Sequence, residues 1–489
     1  MENGSVLVII AAYFGLLLLT AWITGRKNSN NAAFFLGNKR SPWYIVSIGM
    51  IGTSLSGVTF ISVPGLVRQT DMSYMQLIFG FFFGYALIAR ILLPLYYKLK
   101  LTSIYSYLDG RIGRRGYRTG ACFFLLSKLV GAAARLYLVV WILQTGVFDQ
   151  WHIPFVVTAF ISVFLVWLYT FRGGIKTIIW TDTLQAVCLV AMLVGIIWQV
   201  KERMNLDMTG MMQLIADSEH FRLFEFKDWG STQHFVKQFL SGVFIPVVMT
   251  GLDQDMMQKN LSCRNLKDAQ RNMYTYGTAF IPINFLFLCL GILLLALASQ
   301  QQIALPAAGD ELLPFFCTSG LLGSVTLLFF TIGIIAAAFS SADSALTALT
   351  TSFCVDILGI EKDAAPKARQ TRMRVHVLMS AVFMLVIILF RMVNSRSLID
   401  AIYMIASYTY GPLLGLFAFG LFTGRKPRNA QVPYVCIAAP LICYALDYGV
   451  FKCAGYKFGY EILMLNGALT FAGLWFRSSV LKNKDTIQH

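Results

Sequence analysis

About thirteen runs of roughly twenty apolar residues follow one another along the chain, over 5–24, 42–65, 74–98, 119–146, 151–171, 177–200, 233–251, 272–298, 319–352, 374–394, 398–422, 430–451 and 459–477. A hydrocarbon core about 30 Å thick is crossed by about 20 apolar residues in helical conformation. The pattern therefore predicts an all-α integral membrane protein of about 13 transmembrane helices. Composition agrees, since 57% of the 489 residues are apolar and 13% are charged, whereas soluble domains carry about 25% charge. The first run is followed by Gly25-Arg26-Lys27 rather than preceded by positive charge. It reads as a retained helix, not a cleaved signal.

In a soluble chain the formal charge of +16 would point to nucleic acid. In a membrane protein the same excess is expected in the cytoplasmic loops, and nucleic-acid binding is excluded. One alternating set of loops, 25–41, 98–118, 172–176, 253–271, 356–374, 425–428 and the tail, holds roughly 27 of the 40 Lys and Arg, against about 10 in the other set. An odd number of spans then puts the N-terminus outside and the C-terminus in the cytoplasm of a cell-membrane protein. The loops 202–232 and 299–318 become external lids or spacers.

The 9 cysteines are scattered without a C-x-x-C pair and the 5 histidines are equally dispersed. They read as buried small apolar groups and isolated rings, not as a metal centre. No nucleophile or cofactor constellation is visible, so the chain reads as a non-enzyme.

Two spans carry internal breaks. The second contains Gly49, Gly52, Ser54, Ser56, Gly57 and Pro64-Gly65, and the seventh contains Gly242, Pro246 and Gly251. Single Gly or Pro residues in a membrane helix serve as packing notches, but two interrupted helices five spans apart match an inverted repeat with a midplane binding site. The expected organisation is an extra N-terminal helix and linker (1–41), a first five-helix repeat (42–200), an external loop (201–232), a second repeat (233–424), and two further helices with a short tail (425–489).

Ionisable residues inside spans are costly and mark function by default. Asp182 lies in the sixth span, Asp343 in the ninth, and Lys128 and Arg135 in the fourth, seven residues apart and so on one face. In the ninth span Ala337, Ser340, Ser341 and Ser344 fall at offsets 0, 3, 4 and 7, a single stripe of hydroxyls. Unwinding of the second span near Gly52 to Leu55 would add free carbonyls to that stripe and complete an oxygen cage for a small hard cation. Asp253 and Asp255, beside Lys259 and Arg264, read as cap and surface-pairing residues at a cytoplasmic helix boundary.

Several segments stand out in order along the chain: Phe35-Leu36-Gly37-Asn38-Lys39-Arg40 with Trp43, Thr102-Ser103-Ile104 to Leu108-Asp109-Gly110-Arg111, Gly173-Gly174 to Trp180-Thr181-Asp182 with Gln185, Gly251-Leu252-Asp253-Gln254 to Gln258-Lys259, and Gly411-Pro412-Leu413-Leu414-Gly415. Together they resemble the sodium:solute symporter family, which includes sodium/glucose, sodium/proline and sodium/sialic acid carriers. The order and spacing of the segments, spread over about 400 residues, carry the resemblance. It implies a leucine-transporter-like 5+5 inverted repeat with one helix before it and two after. It also implies a main sodium site from the carbonyls of Gly52, Leu55 and Ala337 and the hydroxyls of Ser340 and Ser341. A second sodium site, held by some members, maps onto Asp182, Asp343 and Ser344, and here the chain departs from the pattern, because a serine is usual where Asp343 stands.

Arg135 lies near the centre of the fourth span, which in this fold lines the solute cavity, and some sialic acid carriers use an arginine of this helix on the substrate carboxylate. A guanidinium offers a fork that matches a carboxylate; the alternative is an internal pairing of Arg135. By loose alignment Thr59, Phe60, Ser73 and Gln76 are further cavity contacts. The resulting expectation is sodium-coupled import, by alternating access, of a small organic solute. An organic anion such as a sialic acid or monocarboxylate is favoured, with a neutral sugar or nucleoside as the alternative. A transporter-like sensor or leak channel is the reading from another class, although the chain ends at His489, shortly after its last helix, without a signalling domain. The expected partners are Na+, the solute and the bilayer.

Overall fold

In the computed structural model, which describes residues 3–25, 31–360, 366–392, 398–456, 458–476 and 478–480, the apolar runs are helices. In chain order α1 covers Asn3–Gly25, α2 Trp43–Ser54, α3 Gly57–Thr70, α4 Tyr74–Lys98, α5 Arg114–Leu143, α6 Phe155–Gly173 and α7 Ile175–Arg203. After a linker with one short helix come α8 Phe235–Gly251, α9 Gln254–Leu261, α10 Leu266–Gln301, α11 Ser324–Ile357, α12 Pro366–Phe390, α13 Leu398–Phe422, α14 Val432–Ala454 and α15 Ile462–Phe476. Two three-residue strands, Arg425–Pro427 and Ser478–Val480, pair antiparallel and tie the linker after α13 to the segment after α15.

Eight described helices are long and apolar enough to cross a membrane, and ten spans result if each of two bent pairs counts as one. That is fewer than the thirteen expected. Three more of the expected spans have apolar helical stretches of 10–17 described residues, Ala11–Thr24, Phe155–Phe171 and Ile462–Phe476. The outer surface is apolar: α14 alone turns Tyr434, Ile437, Leu441 and Phe451 outward. Such faces need lipid around them, and the chain is an integral, multi-pass, all-α membrane protein.

Both expected breaks are present. α2 and α3 meet at 63°, with Leu55 and Ser56 in non-helical conformation between them, and α8 and α9 meet at 68°. The second bend falls at Leu252 and Asp253, just after Gly251, while Pro246 remains inside α8. Gly242 has a separate use. A Cβ there would lie 2.2 Å from the Leu77 carbonyl oxygen, so the glycine lets α8 press against α4. At the centre, α11 is buried without interruption from Gly333 to Ser352, and it packs along α7, α5 and α3. That position decides the site, because every polar atom on this stretch of α11 must find a partner within the bundle.

Candidate transport site

The break after α2 lies against α7 and α11. The last carbonyls of a helix have no partner within it, and here the Thr53 carbonyl accepts from Ser341 Oγ at 3.1 Å. Gly52 brings α7 close: a Cβ at this position would stand 2.9 Å from the Ala186 Cβ and the Asp182 carbonyl. Ser340, one residue before Ser341, donates to Asp182 Oδ1 at 2.7 Å. The α11 stripe thus meets the unwound end of α2, as its spacing requires.

One side chain absent from the expected set stands in the middle of this cluster. Lys259, on α9, is 1% exposed, and its ammonium lies 2.7 Å from Asp182 Oδ2 and 2.7 Å from Ser344 Oγ, with a third contact to Thr53 Oγ1. Asp182 Oδ2 also accepts from Thr53 Oγ1 at 3.0 Å and Ser344 Oγ at 3.1 Å. A fully buried ion pair persists only when its remaining donors and acceptors are matched, and here they are. Asp343 stands apart. Its Oδ2 accepts from the Tyr169 hydroxyl at 3.0 Å and its Oδ1 has no hydrogen-bond partner. Among the described residues it forms no salt bridge.

Beside the cluster a cavity of about 1060 Å³, counting its open mouth, is lined by Thr53, Ser54, Ser56 and Ser341 on one side and by α5, α8 and α10 on the others. Arg135 lines it from α5. Among the described residues no side chain or carbonyl pairs with its guanidinium. The internal hydrogen-bonded pairing considered from sequence is not formed among the described residues, although Asp255 and Tyr410 lie within electrostatic reach of the guanidinium, and its donors are left for the cavity. Around them Ser54 and Tyr276 hydroxyls lie 2.5 Å apart and Tyr276 and Tyr85 hydroxyls 2.9 Å apart, with Thr59, Thr250 and Tyr410 also on the wall.

Lys128, two turns from Arg135 on the same face of α5, also lines the cavity and is paired. Its ammonium lies 3.2 Å from Asp253 Oδ1 and 2.7 Å from Asp255 Oδ2, and the Tyr410 hydroxyl donates to Asp253 Oδ2 at 2.6 Å. Asp253 does cap α9, accepting from the backbone N–H of Asp255 at 2.9 Å. The surface pairing expected of these two acids is wrong, since both are 1% exposed.

Of the other expected solute contacts, Thr59 lines the cavity and three do not. Phe60 is packed between Phe287 and Phe330 in the core. Ser73 donates to Gln233 Oε1, and Gln76 donates to the Gln233 carbonyl and accepts from the Glu225 N–H, so both serve to anchor the segment that leads into α8. The reason is helical register. Tyr74, Phe81 and Tyr85 occupy the cavity face of α4, and Gln76, two residues from Tyr74, points away from it.

The profile of the sodium:solute symporter family matches residues 34–430, about four-fifths of the chain. The chain belongs to the sodium:solute symporter family. It is a transporter, not an enzyme, and couples sodium to a solute. The sodium/sialic acid symporter SiaT of Proteus mirabilis (strain HI4320) is 24% identical over 90% of this chain and 89% of its own. The symporter NanT of Aliivibrio fischeri (strain ATCC 700601 / ES114), also a sodium/sialic acid carrier, is 24% identical over 87% of this chain and 84% of its own. A solved structure of a Na+-coupled sialic acid symporter, in a substrate-bound outward-open state, superposes with a TM-score of 0.82 and 21% identity, covering 98% of this chain and 99% of that one. This likeness establishes the fold, that of the inverted-repeat symporters.

Proposed function

We propose that this symporter imports a hydroxylated organic acid, a sialic acid being the leading example, by alternating access about the cavity below Arg135. The single observation that carries the reading is the unpaired guanidinium in a wall of hydroxyls. An unpaired cation in a partly desolvated cavity is costly unless an anion arrives, and the guanidinium fork fits a carboxylate. Hydroxyls on Ser54, Thr59, Tyr85 and Tyr276 suit a polyol backbone better than a small monocarboxylate, which has little to offer them. The sodium/sialic acid symporters that match this chain over 87% to 90% of its length support the same substrate class.

Sodium, as co-transported cargo, is assigned to the carbonyls of Gly52, Leu55 and Ala337 with the hydroxyls of Ser340 and Ser341. The bend at Leu55 and Ser56 and the contact of Ser341 with the Thr53 carbonyl support this placement. The architecture is read as five-helix repeats over 42–200 and 233–424. With the three shorter apolar helices counted as spans, there are about 13 in all, and the distribution of Lys and Arg puts the N-terminus outside.

The test is uptake of radiolabelled N-acetylneuraminic acid into proteoliposomes under an inward Na+ gradient. Accumulation is expected with Na+ and not with choline, with lactate and glucose as poor competitors. Ser341→Ala is expected to raise the sodium concentration required for half-maximal uptake. Absence of carboxylate uptake, or stronger competition by glucose than by sialic acid, overturns the substrate reading.

A further inference from the structure

The second cation position implied by the family resemblance would draw on Asp182, Ser344 and the residue at 343. In this chain those oxygens are already engaged. Asp182 Oδ2 and Ser344 Oγ each lie 2.7 Å from Lys259 Nζ, and Asp182 Oδ1 accepts from Ser340 Oγ at 2.7 Å. The carboxylate that departs from the family pattern, Asp343, does not enter this arrangement, since its one hydrogen-bonded oxygen accepts from Tyr169. An ammonium is a compact monovalent cation with three donors, and all three here meet oxygens of the kind that would surround a sodium ion.

We propose that Lys259 is a tethered cation that permanently fills the second ion position, so that this symporter binds one sodium where a two-site arrangement would bind two. The inference rests on the main sodium site proposed above. Its geometry is held from the far side. α9 carries Lys259 and is fixed at its start by the Asp253 cap, itself clamped by Lys128 and Tyr410. It is fixed further along by Gln258 Nε2, which donates to the Phe35 carbonyl at 2.6 Å and to Thr351 Oγ1 at 3.0 Å. The 68° bend before α9 turns the helix back into the bundle and delivers the ammonium to Asp182. A sodium ion bound to the same carboxylate oxygen would sit within a few ångströms of that ammonium, and two like charges so close in a dry site repel strongly. The negative charge of Asp182 is neutralised once, by a residue that is never transported.

The experiment is equilibrium binding of ²²Na+ to the purified full-length protein in detergent, with no solute present. One saturable ion per chain is expected for the wild type, two for Lys259→Met, where the freed Asp182 carboxylate recruits a sodium, and one for Lys259→Met combined with Asp182→Asn. Two ions in the wild type overturn the inference, as does a folded Lys259→Met that binds no more than the wild type. If Lys259→Met does not yield folded protein, the wild-type count decides between one and two. A wild-type count of zero would instead fail the main site, and the tethered-cation reading would then stand or fall on whether Lys259→Met gains an ion.

Discussion

Lys259 and Arg135 are both cations inside the membrane-embedded body, and their surroundings differ in one respect. Each of the three ammonium donors of Lys259 meets an acceptor, from Thr53, Asp182 and Ser344. The guanidinium of Arg135 meets none among the described residues and lines an open cavity. Burial penalises both charges, but among the described residues only the first has a carboxylate in direct contact; Asp255 acts on Arg135 from further off. A satisfied charge is part of the scaffold, and an unsatisfied charge facing a cavity is a binding group whose partner comes from outside. Lys128 follows the same rule: paired to Asp253 and Asp255, it belongs to the scaffold of the cavity and not to its recognition surface.

The largest effect is expected where a satisfied pair is broken from one side. Asp182→Ala strands the Lys259 ammonium at a fully buried position, and removal of one partner of such a pair typically costs about 3–5 kcal/mol. The variant should express poorly or melt well below the wild type in detergent. Combining it with Lys259→Met, which removes the stranded charge, should recover much of the loss. An Asp182→Ala protein that melts like the wild type would break the comparison, because Lys259 would then have no need of its partner.

How much of this was readable in advance follows from what each signal measures. Hydropathy reports apolar length, so the long helices and the helix-weakening clusters near Gly52 and Gly251 were legible. So was the serine stripe on α11, because a 3.6-residue period fixes which residues share a face. Lys259 was missed for a physical reason. By hydropathy it belongs to the 253–271 loop and its cytoplasmic positive charges, whereas the 68° bend folds that segment back against Asp182. A usable clue was present, since two buried acids, Asp182 and Asp343, need positive charge within reach, and Asp255 and Lys259 stand at i and i+4. Phe60, Ser73 and Gln76 lie outside the cavity lining, because an alignment without a helical register cannot say which side of α3 or α4 meets the cavity. The span count is lower because, among the described residues, eight helices and two bent pairs pass as full crossings.

The second effect concerns the unsatisfied cation and should separate function from stability. Arg135→Ala removes the group that matches an acidic solute, and affinity for N-acetylneuraminic acid should fall by on the order of a hundredfold or more. Arg135→Lys should recover only part, since a point charge lacks the bidentate fork. The melting temperature of the unliganded protein should stay near that of the wild type, in contrast to Asp182→Ala. Binding by isothermal titration alongside thermal melts reads both. Near-normal affinity in Arg135→Ala would return this arginine to the scaffold and remove the argument for an anionic cargo.

The smallest effect falls on Asp343, which shares something with each of the two cations. Like Lys259 it is fully buried, and like Arg135 it has no salt-bridge partner among the described residues, but it does not line the cavity. Its Oδ2 accepts from Tyr169 at 3.0 Å and its Oδ1 from nothing, so no ligand from the solute side can repay the cost of burying it. Asp343→Asn keeps the shape and the oxygen that Tyr169 meets while removing the charge. The gain from relieving an uncompensated buried group is on the order of 1 kcal/mol, a rise in melting temperature of roughly 2 °C. The number of sodium ions bound should not change, because Asp343 is outside both the main site and the Lys259 cluster. A lower melting temperature, or a lost sodium ion, would show that a cation does meet Asp343 and would move it into the class of satisfied charges that Lys259 defines.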